Sequence, residues 1–225
     1  MSRFLDRVAD AGGALYLLLA SVGYGVFVSP VVPQTLTSPP AVLAQLREHP
    51  PTTTFWIGVG MEAVGLVCLL LFAARLAGRI RLADPAGWAA TAVVGLAVAA
   101  FAVKLASFAP VLAALHASRY DAGTVTSLVD TNDMAEVVST ALDAGFVLLA
   151  GLGALSARAL PRWLAGFALL AGVAMLIGVA VPALFDSLQL VLFAWLVVTS
   201  GWLLLRGYRL AAPSGLPSSA EAVGA

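Results

Sequence analysis

Residues 87–115 read GWAATAVVGLAVAAFAVKLASFAPVLAAL, and this stretch decides the fold. It contains a single charged side chain, Lys104. A helix needs roughly 20 consecutive apolar residues to cross about 30 Å of hydrocarbon, and this stretch is longer than that. We therefore predict a membrane-spanning helix that tilts or projects beyond the bilayer.

Five other stretches have the length and composition of membrane-spanning helices: residues 11–28, 54–77, 134–157, 163–184 and 188–205. The whole chain agrees with them, since 61% of its residues are hydrophobic and 11% are charged. A soluble domain is about half apolar and about a quarter charged. The predicted fold class is all-α, a polytopic membrane bundle of six transmembrane helices.

The arginines indicate the orientation of the bundle. With six spans, nine of them fall on one side, and Arg47 and Arg119 fall on the other. The nine are Arg3, Arg7, Arg75, Arg79, Arg81, Arg158, Arg162, Arg206 and Arg209. Basic residues concentrate in cytoplasmic loops, so both termini are expected in the cytoplasm. The eleven arginines against a single lysine suggest a GC-rich bacterial genome, so the inner membrane is the expected location. Arg3 and Arg7 also resemble the start of a signal peptide, but no convincing small-x-small cleavage site follows them.

The parts outside the membrane are expected to be small. Residues 1–210 are predicted to form a single transmembrane domain, and residues 211–225, rich in Pro, Ser, Gly and Ala, a disordered tail. Prolines in the first outer loop forbid a long helix, although residues 41–48 have room for one or two turns. The second outer loop, residues 116–133, is polar, and residues 185–187 join the last two spans.

Lys104 is the most informative residue of the chain. A charge near the middle of the bilayer costs about 3 kcal/mol, so it should face protein and find a partner. Glu62 and Asp143 lie roughly 12–14 Å below the outer ends of their spans, and Lys104 roughly 16 Å below its own. The sequence therefore predicts a buried cluster of Glu62, Lys104 and Asp143 in the outer half of the membrane.

A polar stripe on the fourth span strengthens this prediction. Asn132, Glu136, Ser139, Thr140 and Asp143 recur at three- and four-residue spacing, so they share one face of a helix. Four residues on other spans are possible contributors: Tyr24, Ser107, Asp186 and Gln189. The cytoplasmic half of the bundle shows no comparable group, so the sequence places any function in the outer half.

Three interpretations of this cluster remain open. The leading one is an outward-facing polar cavity that binds or transports a small solute or a proton, because intramembrane ionisable groups mark pathways. The second is a non-catalytic accessory or interaction protein whose buried charges fix helix register. The third is an intramembrane enzyme that modifies lipids. Two acids against one base leave the cluster negative unless one carboxyl group holds a proton.

Other classes of function find little support. The formal net charge of zero argues against nucleic acid as a partner. Cys68 is the only cysteine, which excludes intramolecular disulfides. A zinc site from His116, Asp121 and Glu136 fits no ligand spacing, and nucleotide-binding glycine motifs are absent. We expect no cofactor and no metal, the lipid bilayer as surroundings, and no nameable protein partner.

Two segments resemble a known family. They are RVADAGGALYL at residues 7–17 and ARALPRWLAG at residues 157–166, the latter followed by LLAG at residues 169–172. Together they resemble the bacterial membrane proteins of domain of unknown function family 4386. Members of that family have a similar length, about six helices and a Leu-Pro-Arg-x-Leu-Gly turn between the fourth and fifth. The resemblance implies the fold, and it carries over no activity and no site residues.

Overall fold

The structure is a computed structural model that describes residues 2–32, 38–85 and 87–207. The tail predicted for residues 211–225 lies outside the described residues, as does Arg209. Within them the chain is helical, and six helices are long and apolar enough to cross a membrane. The predicted all-α bundle of six transmembrane helices is confirmed.

The spanning helices have clear bounds. They are α1 (Ser2–Val22), α3 (Thr53–Ala83), α4 (Ala89–Ala114), α5 (Ala122–Ser156), α6 (Arg162–Ala180) and α7 (Phe185–Gly207). A π-helical segment, Gly23–Val28, continues α1, and a short helix, α2 (Pro39–Glu48), lies in the first loop. That short helix begins two residues before the predicted turns of residues 41–48, with its prolines in the first turn, where they are tolerated.

The six spanning helices pack as a closed ring in chain order. Each of α1, α3, α4, α5 and α6 contacts the next, and α7 returns to contact α1. Neighbouring helices run in opposite directions, because each spanning helix carries the chain from one end of the ring to the other. The ring therefore has two ends. We call the end with Arg75, Arg158 and Arg206 the arginine end, and the opposite one the α2 end.

Two predicted boundaries are wrong at the α2 end, one at the start of α5 and one between α6 and α7. The loop predicted for residues 116–133 is mostly helix, because α5 begins at Ala122 rather than near residue 134. The Asp121 carboxylate caps this helix by accepting a hydrogen bond from the Thr124 backbone N–H at 3.0 Å. The polar composition of this first part of α5 concealed a helix that projects past the apolar span.

The short helix α2 explains why that projection is stable. Val42 and Leu46 of α2 are buried against Val125 and Val129 of α5, together with Ala114 at the end of α4. Residues four apart share one side of a helix, so each helix offers an apolar face to the other. This small cluster forms a second core outside the apolar spans.

The joint between the last two spans also differs from the prediction. Helix α6 ends at Ala180, and a 3-10 turn of Pro182–Leu184 leads directly into α7. Residues 185–187, predicted as the connection, are therefore the first turn of α7. Proline cannot continue the hydrogen bonding of α6, which explains why the break comes before residue 185.

The main core occupies the half of the ring nearest the arginine end. Trp195 of α7 is fully buried between Phe72 of α3 and Phe146 of α5. Its ring centroid lies 5.9 Å from that of Phe72 and 6.2 Å from that of Phe146, both in edge-to-face geometry. Small residues let the neighbouring helices approach closely here. Ala165 and Ala168 of α6, for example, are fully buried.

Candidate functional site

The other half of the ring, toward the α2 end, encloses a cavity of about 450 Å³. All six spanning helices and the π-helical segment contribute side chains to it. Exposed Asp133 of α5 and Asp186 of α7 are among these side chains, so the cavity reaches the molecular surface at the α2 end. Its inner boundary includes Met175 of α6 and Leu192 of α7, which belong to the main core.

The structure brings the ten residues singled out in the sequence to this one cavity. They are Glu62, Lys104, Glu136, Ser139, Thr140, Asp143, Tyr24, Ser107, Asp186 and Gln189. Their common location is a finding of geometry, while their use in function stays a prediction.

Lys104 lies at the centre of the polar wall. Its Nζ atom is 3.7 Å from Oε1 of Glu62, and it donates a hydrogen bond to Oε2 of Glu136. The Lys104 side chain is 17% exposed and that of Glu62 is 6% exposed, so little water screens this ion pair. Three helices, α3, α4 and α5, are thereby joined through one ammonium group.

The pairing of Lys104 differs from the predicted one in its third member. Glu136, rather than Asp143, forms the ion pair from α5, and Asp143 has no ion pair within 4.0 Å in the described chain. Glu136 lies two turns closer to the α2 end than Asp143. A lysine in a membrane extends its flexible stem toward the nearer surface, which favours the outer acid.

Asp143 remains part of the same charged group. It lines the cavity and is close enough to interact electrostatically with Lys104. Ser139 and Thr140, one turn toward the α2 end, are buried beside it. The Ser107 hydroxyl, by contrast, donates to the backbone carbonyl of Lys104 at 2.7 Å and is already engaged within α4.

Glu62 has one oxygen without a protein partner. Its residue is 4% exposed, and Oε2 makes no hydrogen bond within the described part of the chain. A buried acceptor left without a donor costs about 1–3 kcal/mol, and more when it is charged. Glu62 lines the cavity, so this carboxylate is one that would gain from an additional hydrogen-bond donor.

The π-helical segment Gly23–Val28 supplies another part of the wall. Tyr24, Gly25 and Val28 from this segment line the cavity. Gly23 packs so closely against α3 that a Cβ atom there would lie 2.7 Å from the carbonyl oxygen of Gly58. The wider turn of a π-helix changes which face of α1 continues beyond that contact, and such segments are frequent at functional sites.

Sequence reasoning missed the apolar part of the wall. Phe108 of α4, Met175 of α6, and Phe185 and Phe193 of α7 all line the cavity. The available signal was the spacing of Phe185, Gln189 and Phe193, which are four residues apart and share a helix face. Because Gln189 was expected to line the cavity, Phe185 and Phe193 on the same helix face should have been expected there as well.

A second buried charge, at the arginine end, was also missed. Asp10 of α1 is 3% exposed, and Arg75 donates to it from Nε at 2.9 Å. Arg79 lies within 4.0 Å of the same carboxylate and also over the ring of Trp202. The four-residue spacings of Asp6 with Asp10 and of Arg75 with Arg79 were the available signal. The expectation that this half of the bundle lacks a comparable polar group is therefore wrong.

The comparisons with known proteins identify a family. The model of a domain of unknown function (DUF4386) matches residues 11–207, which include five of the spanning helices completely and more than half of α1. The chain belongs to this family. No curated protein and no solved structure matches the chain. The DUF4386 match agrees with the resemblance found at residues 7–17 and 157–166, and it extends through the middle of the bundle where the cavity lies.

Proposed function

We propose that this DUF4386 protein binds a small polar solute in the cavity around Lys104 and exchanges it through the α2 end. The observation that carries the proposal is the cavity itself. A space of about 450 Å³ beside a buried ion pair has the size of a small-molecule site, which is typically about 300–1,000 Å³. Charged groups inside a membrane protein usually face such a pathway.

The position of the arginines supports an orientation for this site. Among the described residues, Arg75, Arg79, Arg81, Arg158, Arg162 and Arg206 all lie at the arginine end. Following the rule that cytoplasmic loops are rich in basic residues, we place that end in the cytoplasm and the cavity mouth outside. A cytoplasmic fluorescent reporter fused after Leu210 should be bright. Activity of a reporter that works only outside the cytoplasm would overturn the orientation.

The second candidate function is structural, and the ion pairs of Lys104 favour it. In this interpretation the ammonium group only joins α3, α4 and α5 in an accessory protein. Lys104→Met leaves Glu62 and Glu136 without their cation and should lower the free energy of unfolding by about 3 kcal/mol. Replacing all three, as Lys104→Met with Glu62→Gln and Glu136→Gln, removes the charges together and should restore most of that stability.

Solute binding separates the two candidates in this same pair of variants. Purified full-length protein is screened by thermal shift against amines, amino acids, carboxylates, sugars and inorganic ions. Our proposal expects at least one class to stabilise the wild-type protein but not the stable triple variant. Equal responses from both proteins, or no response from either, would refute solute binding around Lys104 and favour the structural role.

Access of water to the cavity can be measured with cysteine labelling. In a Cys68→Ala background, Ser139→Cys should react in intact cells with a small membrane-impermeant methanethiosulfonate. Two matched serine positions calibrate the result. Ser118→Cys lies exposed at the α2 end and should react fully, whereas Ser200→Cys is fully buried in the bundle and should stay protected. Protection of Ser139→Cys equal to that of Ser200→Cys would refute a wet cavity.

A further inference from the structure

We infer that the ligand of this cavity is a small organic cation, an ammonium group attached to an apolar body. This inference rests on the proposed function, because it names the class of solute that the same site takes. It follows from three observations: the excess of acids on the wall, the incomplete pairing of Glu62 and Asp143, and the aromatic side chains.

Acidic side chains outnumber basic ones on the cavity wall. Glu62, Glu136 and Asp143 face one basic side chain, Lys104. Asp133 and Asp186 add two more acids where the cavity reaches the surface. Walls of low dielectric focus such a field, which concentrates cations at the mouth and repels anions. An anionic or neutral solute would leave this excess of carboxylate groups uncompensated.

Glu62 and Asp143 keep carboxylate oxygens that no basic side chain contacts within the described residues. Lys104 forms its ion pairs with Oε1 of Glu62 and Oε2 of Glu136, and its single charge balances only one of the acids around it. The second oxygen of Glu62 is buried without a hydrogen-bond donor in the described chain. Asp143 forms no ion pair there either, although it lines the same wall. An ammonium group bound beside these carboxylates would form charge-assisted hydrogen bonds in a poorly screened place.

The aromatic side chains suit the rest of such a ligand. Phe108, Phe185 and Phe193 line the cavity together with Tyr24. Aromatic faces attract cations through their quadrupole and also bury apolar surface. A metal ion has no apolar surface to bury against these rings. A small amine with a hydrocarbon or aromatic body uses both the acids and the rings, and its size fits the cavity of about 450 Å³.

The test uses three probes of nearly identical shape: benzylammonium, benzyl alcohol and benzoate. Their binding to purified full-length protein in detergent is measured by calorimetric titration. The three probes share the aromatic ring, so their apolar contacts are similar and the charge of the polar group is the main difference. We expect benzylammonium to bind at least about tenfold more tightly than benzyl alcohol, the scale of one charge-assisted hydrogen bond, and benzoate not to bind.

A matched pair of variants on α5 shows where benzylammonium binds. Asp143→Asn should weaken benzylammonium binding about 10-fold or more without changing the affinity for benzyl alcohol. Asp130→Asn removes an acid from an exposed position of the same helix, outside the cavity, and should leave both affinities unchanged. Thermal melting of each variant shows whether it is folded, and Asp143→Asn keeps the size of the side chain.

The remaining outcomes are decisive as well. Stronger binding of benzoate or benzyl alcohol would overturn the cation inference and leave the proposed solute site intact. Equal binding of benzylammonium to Asp143→Asn and the wild type would place the probe elsewhere and also overturn the inference. If none of the three probes binds, the cation inference fails. The proposed function then fails too only if the wider thermal-shift panel is also without effect.

Discussion

The two halves of the ring are built from the same helices but filled in opposite ways. Toward the arginine end, α7 places Trp195 between Phe72 and Phe146, and the space is filled with apolar side chains. Toward the α2 end, the same helix places Gln189 on the wall of the cavity that Lys104 of α4 also lines. One half is a packed core, and the other keeps an open space around charge.

This difference indicates how the protein tolerates its buried charges. Joining α3, α4 and α5 through one ammonium group requires desolvation of the charged groups, and such pairs add little net stability. The packed half supplies the close van der Waals contacts that hold helices together in a membrane. Stability and the candidate function are thus assigned to different parts of the same six helices.

The largest expected effect tests the packed half directly. Trp195→Ala removes the largest fully buried side chain of the described chain and should lower the free energy of unfolding by about 3 kcal/mol or more. Unfolding of purified protein in mixed detergent micelles measures it. Phe193→Ala, two residues earlier and facing the cavity, should cost about 1 kcal/mol or less, because it leaves no sealed void.

A conservative control sharpens this comparison. The indole Nε1 of Trp195 has no hydrogen-bond partner within the described residues. Trp195→Phe should therefore be tolerated far better than Trp195→Ala, since it loses volume but no hydrogen bond. If Phe193→Ala proves as costly as Trp195→Ala, the two halves do not differ in packing and the comparison is wrong.

The second prediction concerns the buried charge at the arginine end. Asp10→Asn removes the carboxylate that Arg75 and Arg79 share, and should lower the free energy of unfolding by about 1–2 kcal/mol. The cost stays below that of Lys104→Met because the Arg75 side chain is 33% exposed and can be solvated by water.

The matched control lies one helical turn away. Asp6→Asn removes an acid whose side chain is 53% exposed and which also pairs with Arg75, so its effect should be close to zero. Equal losses for the two variants would mean that the burial of Asp10 contributes nothing.

The fold class and the position of the cavity could be predicted from the sequence, because both depend on patterns within single helices. Apolar length defines a span, and the three- and four-residue spacing from Asn132 to Asp143 defines a face. The partner of Lys104 could not be predicted in this way. Glu136 and Asp143 share that face, and the choice between them depends on how α4 slides against α5, which no local pattern contains.

The start of α5 could not be predicted from the sequence, for a related reason. Its first turns are too polar for a membrane span, and they gain stability from the Asp121 cap and from α2. The contact of Val125 and Val129 with α2 joins segments that are far apart in sequence. A pattern of two valines four residues apart within a polar stretch was visible, but only the packing of α2 gives it meaning.

The third prediction is a gain of stability at the turn between α5 and α6. Arg158 has a φ of 52°, in the left-handed region that disfavours side chains with a Cβ atom. The Ala159 N–H donates to the Ala154 carbonyl at 3.0 Å, so α5 ends in a turn of the kind that usually has glycine at the position of Arg158. Arg158→Gly should raise the free energy of unfolding by about 0.5–1 kcal/mol.

The neighbouring residue provides the control for that gain. Ala157 has a φ of −81° and needs no glycine, so Ala157→Gly should give no increase in stability. Arg158→Gly also removes one positive charge from the arginine end. An Arg158→Asn variant, which tolerates the left-handed region, should show a smaller gain, whereas equal stability of all three proteins would exclude backbone strain at this turn.

The smallest expected effect lies at the opposite end, where Asp121 caps α5. Its hydrogen bonds from the Thr124 backbone N–H and hydroxyl lower the pKa of the Asp121 carboxyl group below its ordinary value. A carboxyl group with a lowered folded-state pKa stabilises the protein above its unfolded pKa, and this contribution is lost as the pH falls through the folded value. Asp121→Ala should therefore melt slightly below the wild type at neutral pH, with the difference shrinking in acid.

Asp121→Asn separates the charge from the cap. Asparagine still accepts the hydrogen bond from the Thr124 N–H but does not titrate, so this variant should retain part of the stability with no change in acid. Thermal melting of the three proteins from neutral pH to below pH 4, about the ordinary aspartate pKa, provides the measurement. A difference between Asp121→Ala and the wild type that persists unchanged at the acidic limit would assign the effect to something other than this carboxylate. The projection of α5 beyond the membrane would then depend on its contact with α2 alone.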